Sequence, residues 1–421
     1  VASSAGMALA DEAATPPETR TVVAGEQFDR RGPWRFWFGE GYRKAWTTPV
    51  EAPVLDLATE AGGLTPLRQV GGFQTEGLAM KGANGLGYTF RKLEKHPERV
   101  LPKEWQDSEL KAVAVDQTSA AHPAATVIVG SLARSVGIPF YASRLAVMPD
   151  DPALGQFRET FGGAVGTFDE YLGPGTRGIT EVVSTFELWA KWKEDGARNR
   201  VDTRAFLKAR LFDLVVGNWD RHQGQWRWAR LSDPSVWVPL PEDADQAFTR
   251  YEGKAMGVVR KVVPRFMRYS GEYPKRIEGL TTNNYDVTRW MLADVEWPVF
   301  EEVARELAAQ LYGLSADEIG ICSCSSEAFN LAAMALQLRE GDEVVINDLA
   351  QGRGPVRGRV GRAADPQPVV KQVAHGTVAG RQVDHAHVAD LVDPGLVAIP
   401  QRRVGARAQR IAQHAQILLG L

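Results

Sequence analysis

The sequence predicts an α+β fold in which a two-lobed domain is followed by a partial α/β segment and a tail of low order. Three observations predict this fold. A strand hairpin is centred near residue 84, a helix and a second two-stranded ribbon follow one another between residues 203 and 238, and no aromatic residue occurs after Phe329. A chain of 421 residues can form two or three domains, and its 44% hydrophobic and 24% charged content is ordinary for a soluble globular protein.

The first 24 residues are predicted to be a tail or the remnant of an export signal. Ala5-Gly-Met-Ala-Leu-Ala10 resembles the small-x-small end of such a signal, although a basic start and a full apolar core are missing. An exported or periplasmic location and a cytoplasmic location therefore both stay open. We expect no membrane span, because no apolar run reaches about 18 residues. The net charge of −3 argues against nucleic-acid binding.

The first lobe is predicted around a hairpin. An apolar strand at Leu78–Lys81 precedes the turn Ala83-Asn84-Gly85, and a β-rich return strand follows at Tyr88–Leu93. Three further segments follow before residue 150: helical structure is predicted over 108–115 and over 117–135, the latter interrupted by Pro123, and strand structure over 138–148.

The second lobe is predicted from a capped helix and a ribbon. Asp202 is a suitable N-cap for a helix over 203–216, whose apolar residues recur at helical spacing, and Gly217-Asn218 is its stop signal. Asp220 then falls in the loop beyond the helix. Alternating apolar residues on both sides of the turn 232–235 predict a two-stranded ribbon, which returns the chain to Asp243.

Two acidic clusters flank this ribbon: Asp220 on one side, and Asp243 with Asp245 on the other, 23 residues further along. Phosphoryl transfer needs one carboxylate that accepts the hydroxyl proton and another that holds a divalent ion. The spacing of the acids therefore predicts a phosphotransferase site. Surface carboxylates paired with nearby arginines are the alternative.

The segment Gly217-Asn-Trp-Asp-Arg-His222 resembles the catalytic loop of atypical kinases, in particular the secreted Golgi-type protein and sugar kinases and, more remotely, the phosphoinositide kinases. The resemblance implies that Asp220 is the catalytic base, that Arg221 holds the loop or a phosphate oxygen, and that His222 is structural. It also implies ATP with Mg²⁺ or Mn²⁺ as cofactor, and a hydroxyl of unknown identity as phosphoryl acceptor.

The metal site implied by the resemblance consists of Asp243, with Gln225 close by and Asp245 as a possible second ligand. The secreted kinases have Asp-x-Gly-x-Gly-Phe at this point, whereas Asp243-Ala-Asp-Gln-Ala-Phe248 lacks both glycines. This departure favours, as one alternative, a non-catalytic pseudokinase-like binding protein.

A cation for the nucleotide phosphates is expected on the return strand of the first hairpin. The related kinases have Phe-Lys-Pro there, and this chain has Phe90-Arg91-Lys92, so Arg91 takes the place of the lysine. Lys92, Lys95 and Lys81 are the alternatives. Glu109 and Asp116 are the candidate helix acids that would pair with the cation or the metal.

Residues 25–311 also resemble a group of bacterial proteins that share the Trp-Asp-Arg-His loop. The matching segments are Ala45-Trp-Thr-Thr-Pro49 and Asp56-Leu-Ala-Thr-Glu-Ala-Gly-Gly-Leu-Thr-Pro66. This resemblance supports a kinase-like domain over 25–311 and indicates no substrate.

Residues 312–350 resemble part of a class V aminotransferase. Ser325, Ser326 and Glu327 occupy the turn that binds pyridoxal phosphate in those enzymes, so a truncated pyridoxal-phosphate protein is a further alternative. Lys371 lacks the sequence context of an aldimine lysine. Cys322 and Cys324 are predicted to be small core residues of this segment, and Asp384, His385 and His387 a solvated turn. The tail 351–421 has 10 Lys and Arg against 4 Asp and Glu and is predicted to be poorly ordered.

Overall fold

The computed structural model describes residues 17–71, 74–106, 108–263, 265–270 and 278–321, together with the backbone of four short strands beyond residue 342. The chain divides into two compact units: the first comprises residues 1–269 and 276–293, and the second comprises residues 270–275 and 294–421. The mixture of helices and largely antiparallel strands confirms the predicted α+β class.

The α-helices of the described residues are α1 (Pro33–Phe38), α2 (Arg43–Thr47), α3 (Lys103–Gln106), α4 (Glu109–Asp116), α5 (Ala125–Ser135), α6 (Arg158–Phe161), α7 (Thr185–Glu194), α8 (Thr203–Val215), α9 (Lys254–Val262), α10 (Glu278–Thr281), α11 (Tyr285–Met291) and α12 (Trp297–Tyr312). The strands are β1 (Thr19–Val22), β2 (Val50–Pro53), β3 (Leu64–Val70), β4 (Thr75–Gly82), β5 (Gly87–Lys95), β6 (Ser143–Val147), β7 (Val165–Glu170), β8 (Glu181–Ser184), β9 (Arg200–Val201), β10 (Trp226–Arg230), β11 (Val236–Pro241), β12 (Glu343–Ile346), β13 (Val356–Val360), β14 (Val370–Gln372) and β15 (Val397–Ala398).

A five-stranded antiparallel sheet of order β3-β4-β5-β7-β6 carries the first half of unit one. Strands β4 and β5 form the predicted hairpin, with Met80 opposite Tyr88. Gly85 has a φ of 83° in its turn, a value that glycine adopts at little cost. One face of the sheet is buried in a core that includes Leu78, Phe90 and Phe161.

The chain between β5 and β6 is helical, as predicted, and its second helical segment is interrupted near Pro123. Ser108 caps α4 by accepting a hydrogen bond from the backbone N–H of Leu110. The second predicted helix is broken, since a 3₁₀ turn at Gln117–Ala120 precedes α5, which begins only after Pro123. Proline cannot donate a helical hydrogen bond, which explains the break. Strand structure between 138 and 148 is limited to β6.

The second half of unit one contains α8 and a four-stranded sheet of order β8-β10-β11-β9. Asp202 caps α8 by accepting from the N–H of Ala205 at 2.8 Å, and β10 pairs with β11 as the predicted ribbon. Trp226, Trp228 and Trp237 are fully buried, and Phe206 of α8 packs on the first two. The ribbon therefore has an aromatic core. Because Trp226 pairs with Pro241, the loop before β10 and the loop after β11 lie at the same end of the ribbon, opposite the turn at 232–235.

The N-terminal tail is shorter than predicted. Residues 1–24 were expected to form it, but Thr19–Val22 already form β1, which pairs with β2. In unit two, α12 is followed by a 3₁₀ turn at Ala316–Glu318, and β14-β13-β12-β15 form a sheet. Ser325, Ser326, Glu327, both cysteines, Asp384, His385 and His387 lie outside the described residues. Within the described part of the chain, no helix has both the length and the apolar character needed to cross a bilayer.

Candidate active site

The end of α8 places Asp220 in a tightly held loop. Val216 ends the helix, Gly217 has a φ of 64°, and the N–H of Asn218 bonds to the carbonyl of Asp213 in the preceding turn. The side-chain amide of Asn218 donates to the carbonyl of Asp243 at 3.5 Å. The loop of Asp220 (residues 217–225, the first loop) is thereby tied to the loop of residues 242–248 (the acidic loop).

Arg221 is the main link between these two loops. Its side chain is buried and donates from Nε and Nη2 to Asp213, at 3.1 and 3.0 Å. Its Nη1 donates to the carbonyls of Gln225 and Glu242, and its guanidinium lies 5.2 Å from the centre of the Trp226 ring. Of the two roles left open by the sequence, the structure therefore shows Arg221 in the one that holds the loop.

His222 lies on the solvent side of the first loop and stabilises its turn. Its residue is exposed, and its Nδ1 accepts a hydrogen bond from the N–H of Gly224 at 3.1 Å. Partial burial of the ring lowers the pKa of this imidazole, and the residue is the N-cap of the 3₁₀ turn at Gln223–Gln225.

Three carboxylates come together at these loops. Asp220 accepts a hydrogen bond from the amide of Asn283 at 3.0 Å. Asp243 accepts from the backbone N–H of Asp245 at 3.2 Å, and Asp245 accepts from the ammonium of Lys95. The sequence did not indicate Asn283, which lies 63 residues from its partner.

The electrostatics of the acids show that they interact with one another. Burial and the charges of Asp245 and Asp243 raise the pKa of Asp220 to about 7. Burial and Asp245 likewise raise the pKa of Asp243. Burial would also raise the pKa of Asp245, but Lys95 outweighs this effect and leaves that pKa below its ordinary value. With a pKa of about 7, Asp220 can exchange a proton near neutral pH.

The backbone of the acidic loop explains how it manages without the two missing glycines. Asp243 and Phe248 have φ values of 54° and 60°, in the left-handed region that is costly for residues other than glycine. Asp245 and Ala247, which stand where the related kinases have glycine, are not among the positive-φ residues of the described chain. The strain is therefore located at the first acid and at the last residue of the loop.

Gln225 meets the acidic loop with an unsatisfied oxygen. Its Nε2 lies 3.4 Å from Oδ2 of Asp243, and its buried Oε1 has no hydrogen-bond partner. Buried polar atoms without a partner are rare and call for a ligand, a water or an ion. A rotation of the amide would bring Oε1 next to the Asp243 carboxylate, which gives two oxygen ligands for one cation.

The described residues contain no group of three or more His, Cys, Asp or Glu side chains arranged to hold a metal ion. Mg²⁺ is usually held by one or two carboxylates together with water and substrate phosphates, so a protein cage is not required. Asp243 and Gln225 fit that partial ligand set.

A cleft of about 70 Å³ lies between Asp243 and Asp245 of the acidic loop and the five-stranded sheet, and Asp220 is not part of its lining. Its charged and polar lining comprises Thr75, Arg91, Lys92, Lys95, His122, Thr126, Tyr141, Thr167, Asp243 and Asp245. A second, smaller hollow shares Arg91 and Tyr141 with this cleft. Its lining also includes Leu172 and Leu240.

Arg91 faces this cleft from β5 and is bound to an acid that the sequence did not indicate. Its Nε lies 3.4 Å from Oδ2 of Asp169, which is buried on the neighbouring strand β7. Asp169 also accepts from the hydroxyl of Ser143 at 2.5 Å, and burial raises its pKa to about 6. The alternation Thr167-Phe168-Asp169, which places two polar residues on one strand face, was the available signal.

The other cation candidates are placed differently. Lys92 lines the cleft, but its ammonium binds Glu76 at 3.0 Å. Lys81 is exposed at the hairpin turn, where it bonds to the carbonyl of Gly85 at 2.5 Å. Lys95 is the lysine whose ammonium contacts an acid of the acidic loop.

Neither candidate helix acid pairs with a cation of the cleft. Asp116 is buried in an ion pair with Arg43, with contacts at 2.7 and 2.5 Å, so its expected pairing with the strand cation is wrong. Glu109 is an exposed residue in the first turn of α4. The partner of Arg91 comes from the sheet, because β7 lies next to β5.

Comparison with known proteins gives little. No protein-family model matches the chain, and no curated protein matches it. One similar solved structure is that of a Helicobacter pylori proinflammatory kinase, CtkA. It is 9% identical in sequence, with 57% of this chain and 91% of that chain covered and a TM-score of 0.26. A TM-score of 0.26 is too low to establish a shared fold.

Proposed function

We propose that unit one is a kinase-like phosphotransferase that passes the γ-phosphoryl group of ATP to a hydroxyl group with the help of Mg²⁺ or Mn²⁺. One observation carries the proposal: the two loops that flank the β10–β11 ribbon lie at the same end of it and bring Asp220, Asp243 and Asp245 together beside a cleft lined by Arg91 and Lys95. A proton acceptor, a cation ligand and phosphate-binding cations are the groups that this reaction needs.

Asp220 acts as the general base. Its pKa of about 7 suits a group that must take a proton near neutral pH, and Asn283 fixes one of its oxygens. The acceptor hydroxyl gives its proton to the free oxygen of Asp220 while its own oxygen bonds to the γ-phosphorus. The bond between that phosphorus and the bridging oxygen breaks, ADP leaves, and the proton returns to solvent.

Asp243 and, after rotation of its side-chain amide, Gln225 would hold the divalent ion through their oxygens. When bound, this ion neutralises charge on the transferring phosphoryl group. The left-handed backbone of Asp243 turns its carboxylate toward Gln225, and Arg221 keeps both loops in register.

Arg91 and Lys95 supply positive charge along the cleft. Both line the cleft from β5, and the pairing of β5 with β4 shifts register between them, since Arg91 lies opposite Gly77 and Lys95 opposite Thr75. Arg91 stands at the junction with the second hollow, whose apolar ends Leu172 and Leu240 suit a flat nucleobase. The nucleotide therefore lies with its base toward Leu240 and its phosphates toward Asp243.

A second candidate function is nucleotide binding without turnover. It is favoured by Arg91, whose guanidinium binds Asp169 of the sheet and has no helix acid as partner. In this case nucleotide and metal would bind, but Asp220 would take no proton.

Two measurements separate these functions. The first is the melting temperature of the purified protein with ATP and with Mg²⁺ or Mn²⁺, compared with each component alone. The second is the release of ADP with time, with Asp220→Asn as the catalytic variant. A shift with ADP release supports the phosphotransferase, and a shift without release supports the binding protein. No shift with either nucleotide–metal pair overturns both.

A further inference from the structure

The contact between Lys95 and Asp245 decides how many metal ions the cleft can hold. The Lys95 side chain is 12% exposed and that of Asp245 is 30% exposed, so this ion pair is partly shielded from solvent. Kinase sites commonly use two divalent ions. In this protein, the position beside the second acid is already occupied by the ammonium of Lys95.

The orientation of the acidic loop separates its two acids. The backbone N–H of Asp245 donates to Asp243, whereas the Asp245 carboxylate accepts from Lys95. Asp243 in turn faces Gln225, whose buried Oε1 lacks a partner. One carboxylate thus contacts the side-chain amide of Gln225, whose Oε1 has no partner, and the other contacts a built-in cation.

The charges point the same way. Asp220, Asp243 and Asp245 carry up to three negative charges, and Arg91 is engaged with Asp169. The ammonium of Lys95 cancels one charge, and a single divalent ion balances the remaining two. A second divalent ion would have to displace Lys95 or share its position, at a cost in charge repulsion.

We propose that Lys95 acts as the second cation of this site, so that the cleft binds one divalent ion, on Asp243 and Gln225, and Asp245 becomes a metal ligand only when the Lys95 ammonium is removed. This inference rests on the proposed function for its place in the reaction, but it concerns metal binding and can be measured without nucleotide. Lys95 is therefore a positioning residue: by binding Asp245, it directs the metal ion to Asp243 and Gln225.

The test is the number of Mn²⁺ ions bound per chain, measured on the full chain by electron paramagnetic resonance of the free ion. We expect one Mn²⁺ for the unmodified protein and two for Lys95→Met. Lys95→Arg keeps a cation and is expected to bind one. In the double variant Lys95→Met with Asp245→Asn, the count is expected to return to one.

Lys191→Met is the matched control, because Lys191 also binds a carboxylate, Glu181 at 3.1 Å, but does not line the cleft. It is expected to bind one Mn²⁺. Circular dichroism and the melting temperature establish that each variant is folded before its count is used; if Lys95→Met fails to fold, Asp245→Asn, which is expected to keep one Mn²⁺, replaces it.

Several results overturn the inference. It is wrong if the unmodified protein binds two Mn²⁺ or none, if Lys95→Met binds only one, or if Asp245→Asn loses the single ion. Its failure differs from failure of the proposed function. Absence of ADP release with the expected counts contradicts only the phosphotransferase, whereas ADP release with one Mn²⁺ in Lys95→Met contradicts only this inference.

Discussion

Lys95 at the end of β5 binds Asp245 in the loop that follows β11, and this ion pair joins the five-stranded sheet to the acidic loop. The two residues are 150 positions apart in the chain. The ammonium of Lys95 neutralises the charge of Asp245, whereas the neighbouring Asp243 contacts the amide of Gln225. Four predictions follow from the groups around this pair.

Replacing Asp220 with asparagine is expected to lower the rate of ADP release by about 10²- to 10⁴-fold, because an amide cannot accept the hydroxyl proton. The amide keeps the size of the side chain and its contact with Asn283. Steady-state kinetics with ATP and Mg²⁺ measures the effect. Asp233→Asn, in the exposed turn between β10 and β11, serves as the control and should leave the rate unchanged. A rate loss of less than about tenfold in Asp220→Asn would exclude the role of general base.

The pH dependence of turnover and of stability should carry opposite signs. Turnover is expected to rise as the pH increases through about 7, where Asp220 becomes ionised. The folded protein holds this proton above the ordinary pKa of 3.8, so it binds more protons than the unfolded chain between those two values. The contribution of Asp220 to the free energy of unfolding therefore decreases as the pH rises from about 4 to 7.

Asp220→Asn removes this titration. Melting temperatures measured between pH 4 and 8 should show the variant gaining stability relative to the unmodified protein as the pH rises. If the difference between the two proteins does not change with pH, the raised pKa of Asp220 is refuted.

Loss of Arg221 should affect folding as well as activity. Arg221→Met leaves Asp213 buried with Arg210 as its remaining ion-pair partner, and breaking a buried ion pair of this kind costs about 3–5 kcal/mol. Urea unfolding followed by tryptophan fluorescence measures the change. Arg200→Met removes an exposed pair with Asp233 at 3.7 Å and should cost about 1 kcal/mol or less. Equal losses in both variants would argue against Arg221 as the link between the two loops.

Arg91→Met is expected to weaken nucleotide binding by about 10- to 100-fold, the usual value of a hydrogen bond to a charged group. Calorimetric titration with ATP and Mg²⁺ provides the dissociation constant. The control is Arg68→Met, an exposed arginine on β3 of the same sheet, for which no change is expected. Unchanged affinity in Arg91→Met would assign the phosphate-binding role to Lys95 alone.

Local chemistry in the sequence predicted much of the framework of the site. Asn84-Gly85 gave the hairpin, Asp202 gave the start of α8, and Gly217 gave its end, because turns and caps depend on residues within a few positions of one another. The loop position of Asp220 follows directly from the end of α8. Pro123 likewise indicated the interruption between the 3₁₀ turn at Gln117–Ala120 and α5, because proline cannot donate a helical hydrogen bond.

The sequence by itself determined the order of the elements, the two acidic loops and the residue types that they present. Only the tertiary structure decided which partners those residues have: Lys95 for Asp245, Asp169 for Arg91, Asn283 for Asp220 and Arg43 for Asp116. Periodicity and capping act over one or two turns of chain, whereas these pairs join residues between 63 and 150 positions apart. Such contacts depend on how strands and helices pack in space, and that packing is not contained in any local pattern.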